Sequence, residues 1–106
     1  MNFKVTEAAA AQIRRAAQQG GAEGLALRLA ARVMPDGAIE YLMGFDEPAG
    51  SDLRVSAQGV DVVIAPEYSP LLSGAKMDYA EIAPGELRFI FLNPNDETYI
   101  PPQGEE

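Results

Sequence analysis

The chain has 106 residues, 47% of them hydrophobic, which supplies apolar material for one modest core and one domain. Sixteen acidic side chains against eight basic ones leave a formal charge of -8, a field that repels phosphates and anionic lipid head groups, so neither nucleic acid nor a membrane is an expected partner. No apolar run approaches the roughly 20 residues a bilayer requires, and Met1 to Lys4 leads into a helix signal instead of an apolar leader core, so the expected address is cytoplasmic.

Thr6 is placed to cap a helix over Glu7 to Gln19. Glu7 suits its positive end, Arg14 and Arg15 fall late, and Gly20-Gly21 supplies a stop. Ile13 is the one large apolar residue among Ala9, Ala10, Ala16 and Ala17, so this amphipathic helix is expected to pack closely on a sheet. From Leu25 the period changes to two. Leu25, Leu27, Leu29, Ala31 and Val33 share one face of a long strand, with Arg28 and Arg32 on the other. Pro35-Asp36-Gly37 turns the chain into a second alternation, Ile39, Tyr41, Met43 and Phe45, which predicts a hairpin.

Leu53 and Val55 begin a short strand, Gln58-Gly59 turns, and Val60 to Ala65 reads as a mostly buried strand. A short helix follows from Pro66, anchored by Leu71 and Leu72 and ended by Gly74. Met77 and Tyr79 lead to Ile82, Pro84-Gly85 turns, and Leu87, Phe89 and Phe91 form a last inward row before Asn93-Pro94-Asn95. Residues 1–95 are thus expected to form one domain. Residues 96–106, acidic and proline-containing with little to bury, are expected to be a disordered tail. The fold class is α+β: two mixed or antiparallel β-sheets packed as a sandwich, with an N-terminal helix and one short helix.

Several segments in this order resemble the HesB/IscA family of A-type iron-sulfur carriers: VTEAAAAQIRR from Val5, GLALRLAAR from Gly24, EYLMGFDEP from Glu40, QGVDVVIAP from Gln58, SPLLSGAKMDY from Ser69 and FLNPN from Phe91. The resemblance spans nearly the whole chain. It implies a HesB-like compact domain, frequent assembly into dimers or tetramers, and a role in carrying iron-sulfur clusters to apo-proteins. The family places one cysteine in a turn after the first long strand and two more shortly after the NPN. Here those positions carry Asp36, in PDGA, and Ile100 and Pro102, in YIPPQ.

Iron-sulfur clusters are held by thiolates, occasionally with imidazole. The chain has neither Cys nor His, so no cofactor is expected, and an enzyme would have only carboxylates, tyrosines and lysines to work with. The expected function is that of a non-enzymatic interaction protein in or near iron-sulfur biogenesis, with assembly or client proteins as partners, self-associating as a homodimer or higher oligomer. Two alternatives stay open. One is a scaffold recruited to bind a small molecule or an unrelated protein. The other is a hard-metal site built from Asp36 with Glu40, or with Asp96 and Glu97, against which stands the ordinary use of Asp in a turn. Asp46 and Glu47 are adjacent on a strand end, point to opposite faces and read as solvated loop charge and not as a catalytic pair. Tyr41, Tyr79, Phe89 and Phe91 read as core, and Arg28 and Arg32 as either an anion site or partners for Glu40.

Overall fold

In a computed structural model, which describes residues 2–98, Thr6 caps the first helix as its sequence position demands. Its hydroxyl oxygen accepts from Ala9 N at 3.1 Å and donates to Asp78 Oδ1 at 2.6 Å, which ties the cap to a neighbouring strand. The helix, α1 (Glu7–Gln19), buries Ala9, Ala10 and Ile13. Two residues before it form β1 (Lys4–Val5), which runs parallel to β6 (Lys76–Ala83) with Val5 opposite Met77.

β2 (Ala26–Val33) and β3 (Ile39–Asp46) form the expected antiparallel hairpin. A second hairpin joins β4 (Leu53–Ala57) to β5 (Val60–Ile64) through Gln58 and Gly59, both at positive φ, the backbone that a tight turn between twisted strands requires. Pro66–Tyr68 makes a 3-10 turn that runs into α2 (Ser69–Leu72), and β6 then pairs antiparallel with β7 (Glu86–Leu92). The strands fall into two sheets, β1-β6-β7 and β3-β2-β5-β4, with β2 and β5 parallel. Leu27, Leu29 and Ala31 of β2, Val62 and Ile64 of β5, Met77 of β6 and Ile13 of α1 belong to one buried cluster. This is the α+β arrangement of two sheets and two helices read from the sequence.

The structure corrects several particulars. Leu25 and Val33, placed on the buried face, are exposed: Leu25 precedes the strand and Val33 is its last residue. Ile82 and Leu87 are exposed as well. A register shift between Glu81 and Ala83 breaks the alternation there, and Leu87 lies beside the turn that closes the β6–β7 hairpin. The long strand β2 is central in its sheet, because β3 and β5 flank it. The edges of its sheet are β3 and β4. Among the described residues, no helix is long and apolar enough to cross a membrane.

Candidate functional site

The β2–β3 turn is built by its own backbone. Met34 N donates to Ala38 O at 2.7 Å, Gly37 N donates to Met34 O at 2.9 Å, and Asp36 Oδ1 accepts from Ala38 N at 3.0 Å. Asp36 therefore serves the turn as an aspartate commonly does. Gly37 sits at φ +88°, and a Cβ there would lie 2.7 to 2.8 Å from side-chain atoms of Glu97.

Glu97 reaches that position because the segment after β7 is anchored twice. The first anchor is Asn93, the sole buried polar residue among those described, at 1% exposure. Its Nδ2 donates to Tyr41 Oη at 3.0 Å and to Leu71 O at 2.8 Å, while its Oδ1 accepts from Asn95 N and Asn95 Nδ2, each at 3.0 Å. Asn95 Nδ2 also donates to Ser73 O at 2.8 Å. The Tyr41 ring stacks on Phe91 with centroids 3.9 Å apart, and its burial holds the phenol above the ordinary tyrosine range. One asparagine thus joins β3, α2 and the end of β7.

The second anchor is Asp96. Its Oδ1 accepts from Thr98 Oγ1 at 2.6 Å and from Thr98 N at 2.7 Å, its Oδ2 accepts from Ile39 N at 2.9 Å, and Glu97 N donates to Gly37 O at 3.1 Å. These bonds, the Thr98 hydroxyl foremost, hold the Asp96 carboxyl below the usual carboxylate range. The tail expected from residue 96 is therefore fixed against the hairpin turn through Thr98. Residues 99–106, with Ile100 and Pro102, lie outside the described residues.

The structure brings Asp36, Asp96 and Glu97 to one end of the molecule, but it gives the carboxylates separate tasks. Asp36 closes its turn, Asp96 holds Ile39 and Thr98, and Glu40 pairs with Arg32. Among the described residues, no group of three Asp, Glu, His or Cys side chains is placed to hold a metal ion. Arg28 takes different partners from the one proposed for it. It donates to Asp46 Oδ2 at 2.8 Å, to both oxygens of Asp52 at 3.0 and 2.8 Å, and to Glu47 O at 3.1 Å, while Asp52 also accepts from Ala49 N at 2.7 Å. The Arg28 guanidinium holds both aspartates below the ordinary range, and they raise its own pKa. Asp46 is thus a structural partner of Arg28 across the β2–β3 pair. Tyr41, Tyr79, Phe89 and Phe91 pack against the core cluster, as read from their alternation.

Asn93, Asn95 and Asp52 were missed as fastening residues. The sequence marks the first two only as a turn and gives Asp52 no role, because Tyr41, Leu71 and Ser73, which the asparagines reach, and Arg28, which Asp52 reaches, lie 22 or more residues away.

Two outcomes follow for this turn. Gly37→Ala is expected to lower stability by about 1–2 kcal/mol, since a left-handed backbone disfavours any Cβ and Glu97 occupies the space. Gly85→Ala, at φ +77° with nothing within 4 Å, isolates the backbone part, so urea denaturation should find Gly37→Ala the worse of the two. Asp96 has a depressed folded pKa, so its contribution is complete above its unfolded pKa of about 3.9 and is lost as pH falls through the folded value. The urea-midpoint gap between the wild type and Asp96→Ala should therefore be open at pH 7 and closing by pH 3. A gap unchanged across that range would contradict the role given to Asp96.

Fold and site together define a small two-sheet α+β domain that ties the segment after its last strand to its first hairpin turn. No family model matches the chain. Among relatives, the iron-sulfur cluster insertion protein ErpA of Xanthomonas euvesicatoria pv. vesicatoria (strain 85-10) is 37% identical over 99 residues, covering 92% of this chain and 75% of that one. A protein of Aquifex aeolicus (strain VF5) is 38% identical over 96 residues, covering 88% of this chain and 80% of its own. Of solved structures, IscA with the [2Fe-2S] cluster superimposes with a TM-score of 0.73 at 32% identity, covering 87% of this chain and 85% of that one. The chain belongs to the HesB/IscA family, the A-type iron-sulfur cluster carrier and assembly proteins, as a divergent member lacking the family cysteines.

Proposed function

We propose that the protein serves iron-sulfur cluster assembly as an interaction subunit that holds no cluster itself, without enzymatic activity, in the cytoplasm and as a homo-oligomer. Its partners are assembly or client proteins that recognise the retained family surface. One observation carries this reading: family identity extends over most of the chain, while the chain contains no cysteine and no histidine.

The donor set does not fit an iron-sulfur cluster. Thiolates donate to iron and balance the cluster's charge, and imidazole is the usual substitute. The residue at the first family ligand position, Asp36, offers a hard oxygen that already accepts from Ala38 N. At the other two positions the isoleucine and proline side chains have no donor atom. Meanwhile the segment that follows β7 is fastened to the turn by hydrogen bonds of Asp96 and Glu97. The proposed activity therefore depends on surface and shape, with chemistry left to partners.

Anaerobic reconstitution with iron and sulfide, followed by absorption spectroscopy and assay of acid-labile sulfide, tests the non-ligating part. The expected result is a protein peak without visible absorption after desalting, and a stable cluster in proportion to chain would refute it. Affinity capture from the native lysate tests the partnership. Recovery of cluster-assembly or iron-sulfur proteins is expected, and their absence from the captured fraction would overturn that part alone.

A further inference from the structure

We propose that the edge of β3 is the surface through which two copies of this chain join, antiparallel and centred on Met43, giving one sheet continuous across the pair. The proposal rests on the self-association in the reading above and assigns it a surface and a register.

Among the described residues the edge is an open one. β3 has eight residues, its sole strand partner among those described is β2, and it carries no proline and no lysine, the residues that commonly blunt a free edge. Ile39 N points away from β2, since it donates to Asp96. By strand alternation the backbone N–H and C=O groups of Tyr41, Met43 and Phe45 face the same open side. The Ile39 end is closed by Asp96, so the free stretch is the half around Met43.

The strand is self-complementary about that residue. Pairing Met43 with its own copy sets Tyr41 opposite the partner's Phe45, so every outward-facing backbone group on this stretch meets one of opposite kind. On the outer face the same register sets Leu42 opposite the partner's Gly44. Leu42 is 58% exposed, and the space above Gly44 is empty, with nothing within 4 Å of where a Cβ would stand. The pairing fills that gap twice, once from each copy.

The charges that flank the patch are neutralised within each chain. Glu40 is paired with Arg32, and Asp46 with Arg28. The acids that face each other at either end of the pairing therefore each come with their own guanidinium, and the overall charge of -8 is not concentrated there. Beneath the edge, Ile13, Leu27, Met43, Phe45 and Phe89 surround an open apolar recess of about 240 Å³. Met43 itself is 43% exposed, and a partner strand would roof this recess. An edge joined antiparallel to itself closes after two copies, because the two-fold operation uses up both edges.

The absence of native cysteine makes the test direct. Light scattering of the wild type should give twice the 11.3 kDa chain mass. Leu42→Lys and Met43→Pro should both give single-chain mass while staying folded, with urea midpoints that match those of the wild type diluted to single chains, the first by adding charge and the second by removing an edge N–H that folding of one chain does not use. Leu87→Lys, on the equally exposed β6–β7 hairpin, should stay dimeric. Met43→Cys should form a covalent dimer on mild oxidation, since paired strand residues lie about 5.5 Å apart, and Leu87→Cys should not. A monomeric wild type would overturn both the self-association and this surface. A dimer that survives Leu42→Lys, or cross-linking at position 87 in place of 43, would overturn the surface alone.

Discussion

Asn93→Ala is expected to lower the unfolding free energy by about 2–4 kcal/mol, because a buried donor or acceptor that loses its partner costs about 1–3 kcal/mol. Tyr41 Oη and Leu71 O would each lose the Nδ2 donor, and Asn95 would lose the oxygen that accepts from its backbone and its side chain. The Leu71 carbonyl keeps a weaker bond from Asn95 at 3.2 Å, which limits the loss. Asn93→Asp provides the finer test. It preserves size and the oxygen facing Asn95, but places a carboxylate where an N–H₂ group donated. Burial raises a carboxyl pKa, so the defect relative to wild type should be full at neutral pH and should shrink as the pH falls and the group protonates. Urea titration of both variants at pH 7 and pH 4 measures this. An Asn93→Ala midpoint within experimental error of wild type would mean that the link between β3, α2 and β7 contributes little.

The parts of the fold that alternation encodes were legible. β2 and β3 declared themselves by period two on either side of a Pro-Asp-Gly turn, and Thr6 marked α1 by its place before an acidic first turn. The parts that depend on distant pairing were not. β1 is two residues long, too short to show a period, and its partner β6 lies at the other end of the domain. Whether a strand is central or an edge is also nonlocal: β2 is central because β5 returns alongside it in parallel through a connection no local pattern announces.

At the site, the sequence identified the Asp36 turn and the absence of every thiolate and imidazole. It gave no sign that Asp96 would reach Ile39, or that Arg28 would prefer Asp46 and Asp52 to Glu40, because those partners are fixed by how the hairpin meets its neighbours.

Restoring the donors should restore the cargo. The triple variant Asp36→Cys, Ile100→Cys, Pro102→Cys is expected to acquire visible absorption and acid-labile sulfide on anaerobic reconstitution, while the wild type and each single variant do not. The reasoning separates ligands from frame. Thiolates supply the affinity for iron sulfide, and what the frame must do is bring the segment after β7 to the turn after β2. That juxtaposition is present in this chain, in the bond from Glu97 N to Gly37 O at 3.1 Å and the Asp96 contact to Ile39 at 2.9 Å. The substitution at position 36 removes the side-chain oxygen that accepts from Ala38 N, a loss of about 0.5–1.5 kcal/mol for one hydrogen bond, which should leave the domain folded. A folded triple variant that stays colourless would show that the difference from the family reaches beyond the three side chains into the geometry that presents them. A coloured one would place the proposed lack of cluster binding in the donor atoms alone.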